Sequence, residues 1–565
     1  MSFGISPGVY IRERDISNVV PNVSTSSAAI VGYAKKGSTA VKLVTTAQQF
    51  LAEYGYPDED SYSGSNVANA FHYSALAYLE QGNELYCRRV PGTGSLYGGI
   101  HVGKALDDSI AFPVGQSSIG FYLESGYVSY EALTLFVVMA KDPGAWSDNI
   151  KINIRDVYTD DAPDETDDYT FWIDVYYKNT RETGGDNAYG DSSGYSLVES
   201  WKVSRKQKTD GFGRSLYLET VINGYSNYIL VYDNDTEPDT VTPAEFKTAE
   251  FKTLIQFDGG ADGNKPSSGF DTAWDDFSNK NNYDVRILIA AGLSDDAAVS
   301  AKMIAIAEAR KDCIAILDVS SSETTDTSTL TTARVSGALS SINSSYGCVY
   351  AGWVKINDPY NDKILNCPSS GYMAGVFAYN DYVANVWSAP MGTTRGMLPV
   401  LGVTNVWTEG ECDVLQKMQI NPLVKQQGRG HVVWGDYTLS KKASALQLVH
   451  VRRSLIVIEK AIEEYLHDFV GEPNNEITRL RITAQLEDYL DNLSARGAFQ
   501  TEAGDKGYMV LCDTTNNTPV VIDRNELHVD IFVKPVRVAL FIRLQTIITT
   551  SGTSFNELIA NGTFI

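Results

Sequence analysis

Two stretches of this chain alternate strand and helix in the same rhythm, and a long segment of different composition lies between them. In the first, the small and apolar run Ser26–Ala34 reads as a strand. Thr46 with Gln49 predicts a capping box for a helix stopping at Gly55, Asn66–Glu80 predicts a second helix closed by Gly82, and Glu84–Val90 predicts the returning strand. The rhythm resumes at Val285–Ala291, a strand of the fully buried type. Ser294, Asp295 and Asp296 then start a helix whose Val299, Met303, Ile306 and Arg310 share a face. Cys313–Val319, Thr331–Ile342 and Gly347–Val354 predict strand, helix and strand. Strands alternating with helices imply a parallel or mixed sheet with helices packed on it.

Residues 95–257 are rich in Tyr, Gly, Asp and Thr and carry short alternating runs, Lys151–Val157, Tyr169–Tyr177 and Ser215–Ile222, which predict an antiparallel β domain inserted into a loop of the α/β layer. Beyond it, Ser454–Phe469 presents Leu455, Ile458, Ile462, Leu466 and Phe469 as one stripe. Asn475–Arg496 presents Leu486, Leu490 and Leu493 before Gly497. Strand-like runs follow at Tyr508–Cys512, Leu527–Val533 and Val536–Thr549. The expected fold class is α/β and α+β multidomain: an α/β core layer, an inserted antiparallel β domain, a C-terminal α+β domain, and extended terminal strand arms. The expected boundaries are an N-terminal arm at 1–20, a discontinuous α/β domain at 21–94 and 258–365, the acidic β insertion at 95–257, the C-terminal domain at 366–536 and a C-terminal arm at 537–565.

Charge narrows the function classes. The net charge of −24 disfavours a nucleic-acid partner, because neutralising phosphates needs a basic surface. Residues 141–260 hold 12 basic and 23 acidic residues, whereas 421–545 hold 15 and 16. The apolar runs fall far short of the ~20 residues that span a bilayer, and Met1–Gly8 lacks the basic and apolar regions of a secretory signal. The six cysteines form no CxxC pair and are expected to be reduced and buried.

The motifs that resemble chemical sites lack the residues their chemistry needs. Pro91–Ser95 is glycine-rich after a strand but lacks the Gly-Lys-Ser/Thr ending that holds phosphate and magnesium. Asp258–Gly263 resembles a calcium loop until its third and twelfth positions, Gly260 and Gly269, fail to supply ligands. Gly194–Ser196 and Gly224–Ser226 lack the closing glycine of a nucleophile elbow. The six histidines form no metal-ligand pair, and Asp318 has no recognisable partner. No catalytic, cofactor-binding or metal residue is assigned. The termini say more: Gly8–Arg14 alternates apolar and polar residues ahead of any domain, and Leu540, Ile542 and Leu544 alternate with Phe541, Arg543 and Gln545. Such a strand pairs either with its own sheet or with a neighbour's edge.

The order of short motifs resembles that of contractile phage tail sheath proteins over nearly the whole chain. The pieces are Ser6–Tyr10, Pro143–Ile150, Gly259–Gly263, Glu308–Asp312, Cys367–Gly371 with Ala374–Val376, Ser388–Gly392, Ile420–Pro422, Gly430–Gly435, Val451–Arg453 and Phe469–Asn474. Two pieces depart from the family: Ser147-Asp148-Asn149 replaces a Gly-Asn step, and Tyr379–Tyr382 keeps the aspartate but lacks the following Arg-Gly. The resemblance implies a structural subunit that polymerises as a helical tube around an inner tail tube and contracts from a metastable state, without catalysis or cofactor. It implies as partners the chain itself, a tail tube protein, and baseplate and tail terminator proteins, with no direct nucleic-acid contact and no membrane insertion. It places the protein in the virion after assembly in the host cytoplasm. The terminal arms, with Val9, Tyr10, Ile11 and Arg12 at one end and Leu540, Phe541, Ile542 and Leu544 at the other, would add strands to neighbours' C-terminal sheets. Lys441, Lys442, Arg452 and Arg453 are candidates for tube or intersubunit contacts, against a plain reading as solvated charges flanking a helix. The competing classes are an α/β hydrolase-like enzyme with an accessory β domain, which requires a polar cluster near Asp318 or Asn357 and Asp358, and the sheath of a bacteriocin-like contractile injector.

Overall fold

A computed structural model describes residues 25–57, 69–103, 107–109, 112–113, 134–155, 170–178, 194–233, 254–293, 296–320, 326–502 and 504–540. They divide into two compact units, one up to Gly471 and one from Glu472.

The first unit opens with β1 (Ala28–Tyr33), β2 (Lys42–Val44), α1 (Ala47–Tyr54), α2 (Ala70–Leu79) and β3 (Leu85–Val90). The Thr46 side chain caps α1 by accepting from Gln49 N, but the Gln49 side chain reaches back to Thr45 rather than Thr46, so the capping box is displaced by one residue. The intervening segment supplies β4 (Gly99–Gly103), β5 (Asp107–Ser109), β6 (Thr134–Ala140), β7 (Ile150–Arg155), β8 (Thr170–Tyr177), β9 (Ser196–Ser204), α3 (Leu218–Tyr225), β10 (Ile229–Asp233) and β11 (Ile255–Gln256). The alternation then resumes with β12 (Ile287–Ile289), α4 (Ala297–Arg310), β13 (Ile314–Leu317), α5 (Thr327–Val335), β14 (Gly347–Ala351), β15 (Val354–Asp358), β16 (Lys363–Cys367), α6 (Ser370–Val383), β17 (Met397–Leu398), β18 (Gly402–Val403), β19 (Asn421–Gln426), β20 (Gly430–Val433) and α7 (Val449–His467).

One nine-stranded mixed sheet organises this unit, in the order β17-β20-β19-β14-β13-β12-β1-β3-β2. Its centre is parallel and its edges antiparallel. Both faces are covered, which is why the central strands are apolar without alternation. Ala28 and Ile30 of β1 pack with α1, α2 and α6, while Ala29 and Val31 pack with α4 and α5 on the opposite face. The segment between β3 and β12 forms two four-stranded sheets, β9-β8-β7-β11 and β10-β6-β4-β5, around a core of its own that includes Phe136, Ile152, Ile173 and Ile229.

Three expectations are corrected. The boundary at 366 does not hold, because β19 pairs in parallel with β14 through Tyr350↔Asn421 and carries β20 and β17 into the same sheet. The second unit begins about a hundred residues later, at Glu472. Ser215–Ile222 is not a strand. Residues 218–225 close into α3, whose buried Leu218 and Ile222 are one helical turn apart, a spacing that short alternation mimics. The helix expected at Thr331–Ile342 starts earlier, where Asp326 caps it through Thr329 N, and ends at Val335.

The second unit contains α8 (Glu476–Ala495), capped by Asn475, and an antiparallel pair, β21 (Tyr508–Leu511) and β22 (Asp530–Val533), with a short helix, Pro519–Asp523, between the strands. Leu486, Leu490 and Leu493 form its buried stripe, as the spacing predicts. Residues 534–540 form no strand, and the remainder of the expected run to Thr549 lies outside the described residues.

Candidate functional site

Three motif loops that are far apart in sequence meet where the nine-stranded sheet joins the β insertion. Thr93 pairs with Asn264 and Leu96 with Ala261, and Gly144 N donates to Leu96 O. The glycine-rich Pro91–Ser95 and the Asp258–Gly263 loop are therefore partners in one joint. A Cβ on Gly92 would lie 2.0 Å from Asp262 O, so the close approach requires glycine.

The residues that depart from the tail-sheath pattern supply this joint's own anchors. Ser147 Oγ donates to Gly144 O at 2.7 Å and accepts from Gly98 N at 3.1 Å. Asp148 Oδ1 accepts from Gly260 N at 2.9 Å, and Asp262 Oδ1 accepts from Ala145 N at 2.8 Å.

Arg89 is the centre of the joint. It is fully buried and donates to the carbonyls of Ala34, Gly37, Lys35 and Pro143 at 2.7–2.8 Å. Burial lowers its pKa, and Asp142 and Asp262 are the nearest compensating charges. Sequence reasoning placed it only within a strand. The signal available was its phase, since Leu85, Cys87 and Arg89 all point into the buried face.

A cleft of about 400 Å³ beside this joint is lined by Lys36, Glu53, Asp142, Trp146 and Tyr228 among others. Desolvation raises the Asp142 carboxyl to about 6 despite Arg89 and the hydrogen bond from Thr39 N. Desolvation also lowers Lys36 to about 8. Its Nζ lies 4.5 Å over the Tyr177 ring and donates to Ala52 O at 3.0 Å.

Asp318 is buried at the end of β13 and is consumed by structure. It accepts from Gly292 N at 2.9 Å and Ser370 N at 2.8 Å, fixing the start of α6. Asp358 accepts from Tyr360 N and Asn361 Nδ2 in a turn. Glu308–Asp312 ends α4, where Arg310 donates to Asp312 and to the carbonyls of Phe277 and Tyr283. Among the described residues no cluster of His, Cys, Asp and Glu could hold a metal ion, and no helix is long and apolar enough to cross a membrane. All six cysteines are free and buried.

Of the candidate contact charges, Lys441 and Lys442 are exposed just before α7. Arg452 and Arg453 are not surface charges. Arg453 forms a bidentate pair with Asp381 at 2.6 and 3.0 Å, both side chains 3% exposed, with its guanidinium 4.4 Å over Phe377. Arg452 donates to Ser345 Oγ and lies 4.2 Å over Tyr346. Their place in the first turns of α7 faces them into the nine-stranded unit, so both are internal. The aspartate retained in Tyr379–Tyr382 is thus the partner of the second arginine in Val451–Arg453.

In the second unit, β21 and β22 pair only with each other among the described residues, which leaves an outer edge on each strand. Met509 and Phe532 sit directly opposite one another and are about half exposed. Leu540 is half-buried at the end of the described chain, while Val9, Tyr10, Ile11, Arg12, Phe541, Ile542 and Leu544 lie outside the described residues.

Two family models match the chain: the phage tail sheath protein central domain over residues 267–439 and the phage tail sheath C-terminal domain over residues 441–549. The first match runs through β20, as the sheet does. The tail sheath protein of Enterobacteria phage T4 is 24% identical, with 98% of this chain and 99% of that protein covered. That of Vibrio phage KVP40 is 34% identical over 39% of this chain and 32% of its own. Among solved structures, a sheath tail protein of Listeria innocua has a TM-score of 0.53 at 12% identity, covering 87% of this chain and 90% of that one. The sheath complex of an extracellular contractile injection system in its contracted state has a TM-score of 0.51 at 15% identity, covering 97% and 98%. At these identities the structural likeness establishes a shared fold.

Proposed function

This chain belongs to the phage tail sheath family and is a structural, non-enzymatic component of the virion's contractile tail; from that premise we propose that its subunits are linked into a helical tube by strand exchange through their terminal arms. The observation that carries the reading is the β21–β22 pair, a two-stranded sheet in a unit of its own. A two-stranded hairpin alone is marginally stable in water and is stabilised by further strands or a packed helix; α8 packs on β21, with Tyr508 Oη donating to Glu487 O, but among the described residues no strand covers the hairpin's outer edges. Two edges unpaired among the described residues and a half-exposed Met509–Phe532 pair make β21–β22 an acceptor for added strands. The donors are Pro7–Arg14, through Val9, Tyr10, Ile11 and Arg12, and Val538–Thr549, through Leu540, Phe541, Ile542 and Leu544.

A subunit that repeats by a rotation and a rise which do not close generates a tube rather than a ring. Main-chain hydrogen bonds between arms and neighbouring hairpins would tether subunits while their bulky domains exchange side contacts. Contraction is then release of a kinetically trapped extended lattice that drives the enclosed tail tube through the host envelope, with no nucleotide consumed. The near-neutral C-terminal region faces the tail tube, with Lys441 and Lys442 as the remaining candidate contacts, and the acidic insertion faces outward. The ends of the assembly meet baseplate and terminator proteins. Assembly takes place in the host cytoplasm.

Deletion of residues 1–14 tests the reading. The expected product is a folded, soluble monomer by circular dichroism and ultracentrifugation that forms no striated tubes in negative stain. Full-length tubes from the truncated chain would exclude the arm mechanism.

A further inference from the structure

The first described residue is tied to a buried ion pair. The Thr25 side chain hydrogen-bonds the Asp381 carboxylate, which Arg453 holds from the other side, and Tyr78 Oη donates to Ser26 O and Glu84 O. Thr25 and Ser26 are therefore held beside the last turn of α6 by buried groups.

That same turn carries an apolar face. Tyr379, Tyr382 and Val383 are 38%, 89% and 52% exposed, and residues three and four apart lie side by side on a helix. Val383 is two residues from Asp381, about half a helical turn along the axis. The twenty-four residues ahead of Thr25 carry Ile16, Val19, Val20 and Val23 among polar residues. An extended chain covers roughly 3.3–3.6 Å per residue, so Val23 lies within about 7 Å of Thr25 and Val19 within about 20 Å. The apolar residues nearest the attachment point are thus within chain reach of this face, round the helix from Asp381.

We propose that Ile16–Val23 of the same chain pack on the Tyr379–Tyr382–Val383 face of α6, so that the arm leaves each protomer in a set direction and only the residues ahead of Ile16 are free to reach a neighbour. The docking does not depend on what the distal arm pairs with. It divides the N-terminal arm into a root that belongs to its own protomer and a tip that is donated.

The test uses the full-length chain carrying Val383→Cys, whose native thiols are all buried and label slowly. The probe is a small maleimide, and the comparison is the same chain with Val19, Val20 and Val23 all changed to Ser. Docking predicts labelling about tenfold slower with the valines present, the ratio expected when a few apolar contacts are lost. Equal rates would overturn the proposal. A second full-length variant, Val20→Cys with Val383→Cys, is oxidised and run without reductant. A cross-linked band that migrates as a monomer is expected. A ladder of covalent multimers would mean that a neighbour's segment covers the face, and no cross-link would mean that nothing does; either outcome overturns the assignment. Val383 is half exposed, so its replacement leaves the core intact and loss of folding does not confuse the result.

Discussion

The Asp381–Arg453 pair permits a quantitative test of how α7 is held in the α/β unit. Both side chains are 3% exposed, and the two N–H···O contacts at 2.6 and 3.0 Å are bidentate. Charge-assisted hydrogen bonds contribute about 1.5–3 kcal/mol each, and unit charges about 4 Å apart at an effective dielectric constant near 20 attract by about 4 kcal/mol. These gains are offset by desolvation, so the net worth of the pair is small, whereas breaking it strands a charge. Arg453→Met leaves the Asp381 carboxylate buried without its cation, and Asp381→Leu leaves a guanidinium over Phe377 with neither oxygen. Each single change is expected to cost about 3–5 kcal/mol, and the double change much less than the sum, with a coupling of at least about 2 kcal/mol. The assay is urea unfolding of the unassembled chain for wild type, both singles and the double. The loss in Arg453→Met should shrink as pH falls. A stranded carboxyl has a folded pKa above its unfolded one and recovers stability by protonation. Singles that each cost under about 1 kcal/mol, or a double equal to their sum within about 0.5 kcal/mol, would refute the reasoning.

Three further expectations concern the joint. Asp142 titrates near 6 when folded. Because that value lies above its unfolded one, the ionised group penalises the folded state in full above pH ~6, and stability rises by about 2 kcal/mol as pH falls from 6 to 4. Asp142→Asn should abolish that acid-side gain and stabilise the chain at pH 7.5 in thermal melts. Arg89→Lys retains charge but cannot span four carbonyls, and is expected to lose about 3 kcal/mol or more. Limited proteolysis should then cut first in the joint, and a wild-type digestion pattern would count against Arg89 as its centre. Gly92→Ala should be strongly destabilising because its Cβ meets backbone at 2.0 Å, whereas Gly224→Ala, with nothing within 4 Å, should be neutral or slightly stabilising in the same denaturation assay.

Legibility followed the range of the signal. The ends of α1, α4 and α8 are written in Thr46, Gly55, Asp296 and Asn475, because caps act within one turn. The buried face of α4 and the leucine stripe of α8 follow from a 3.6-residue period. Eight residues of alternation were not enough to separate strand from helix at 215–222, where α3 formed. The loop motifs were each visible, but nothing local showed that Pro91–Ser95 and Asp258–Gly263 bond to one another.

By itself the sequence determined an α/β layer interrupted by an acidic β segment, six buried thiols, the absence of a recognisable catalytic motif, and an ordered set of motifs that marks the family. Tertiary structure decided where the first unit ends and which charges are internal. The physical reason is the same in each case. β19 joins β14 across some seventy residues, and Arg89, Arg452 and Arg453 are buried because carbonyls, rings and one carboxylate from distant segments converge on them. Pairing partners and local dielectric are properties of the folded neighbourhood, and a strand's or helix's own residues do not carry them.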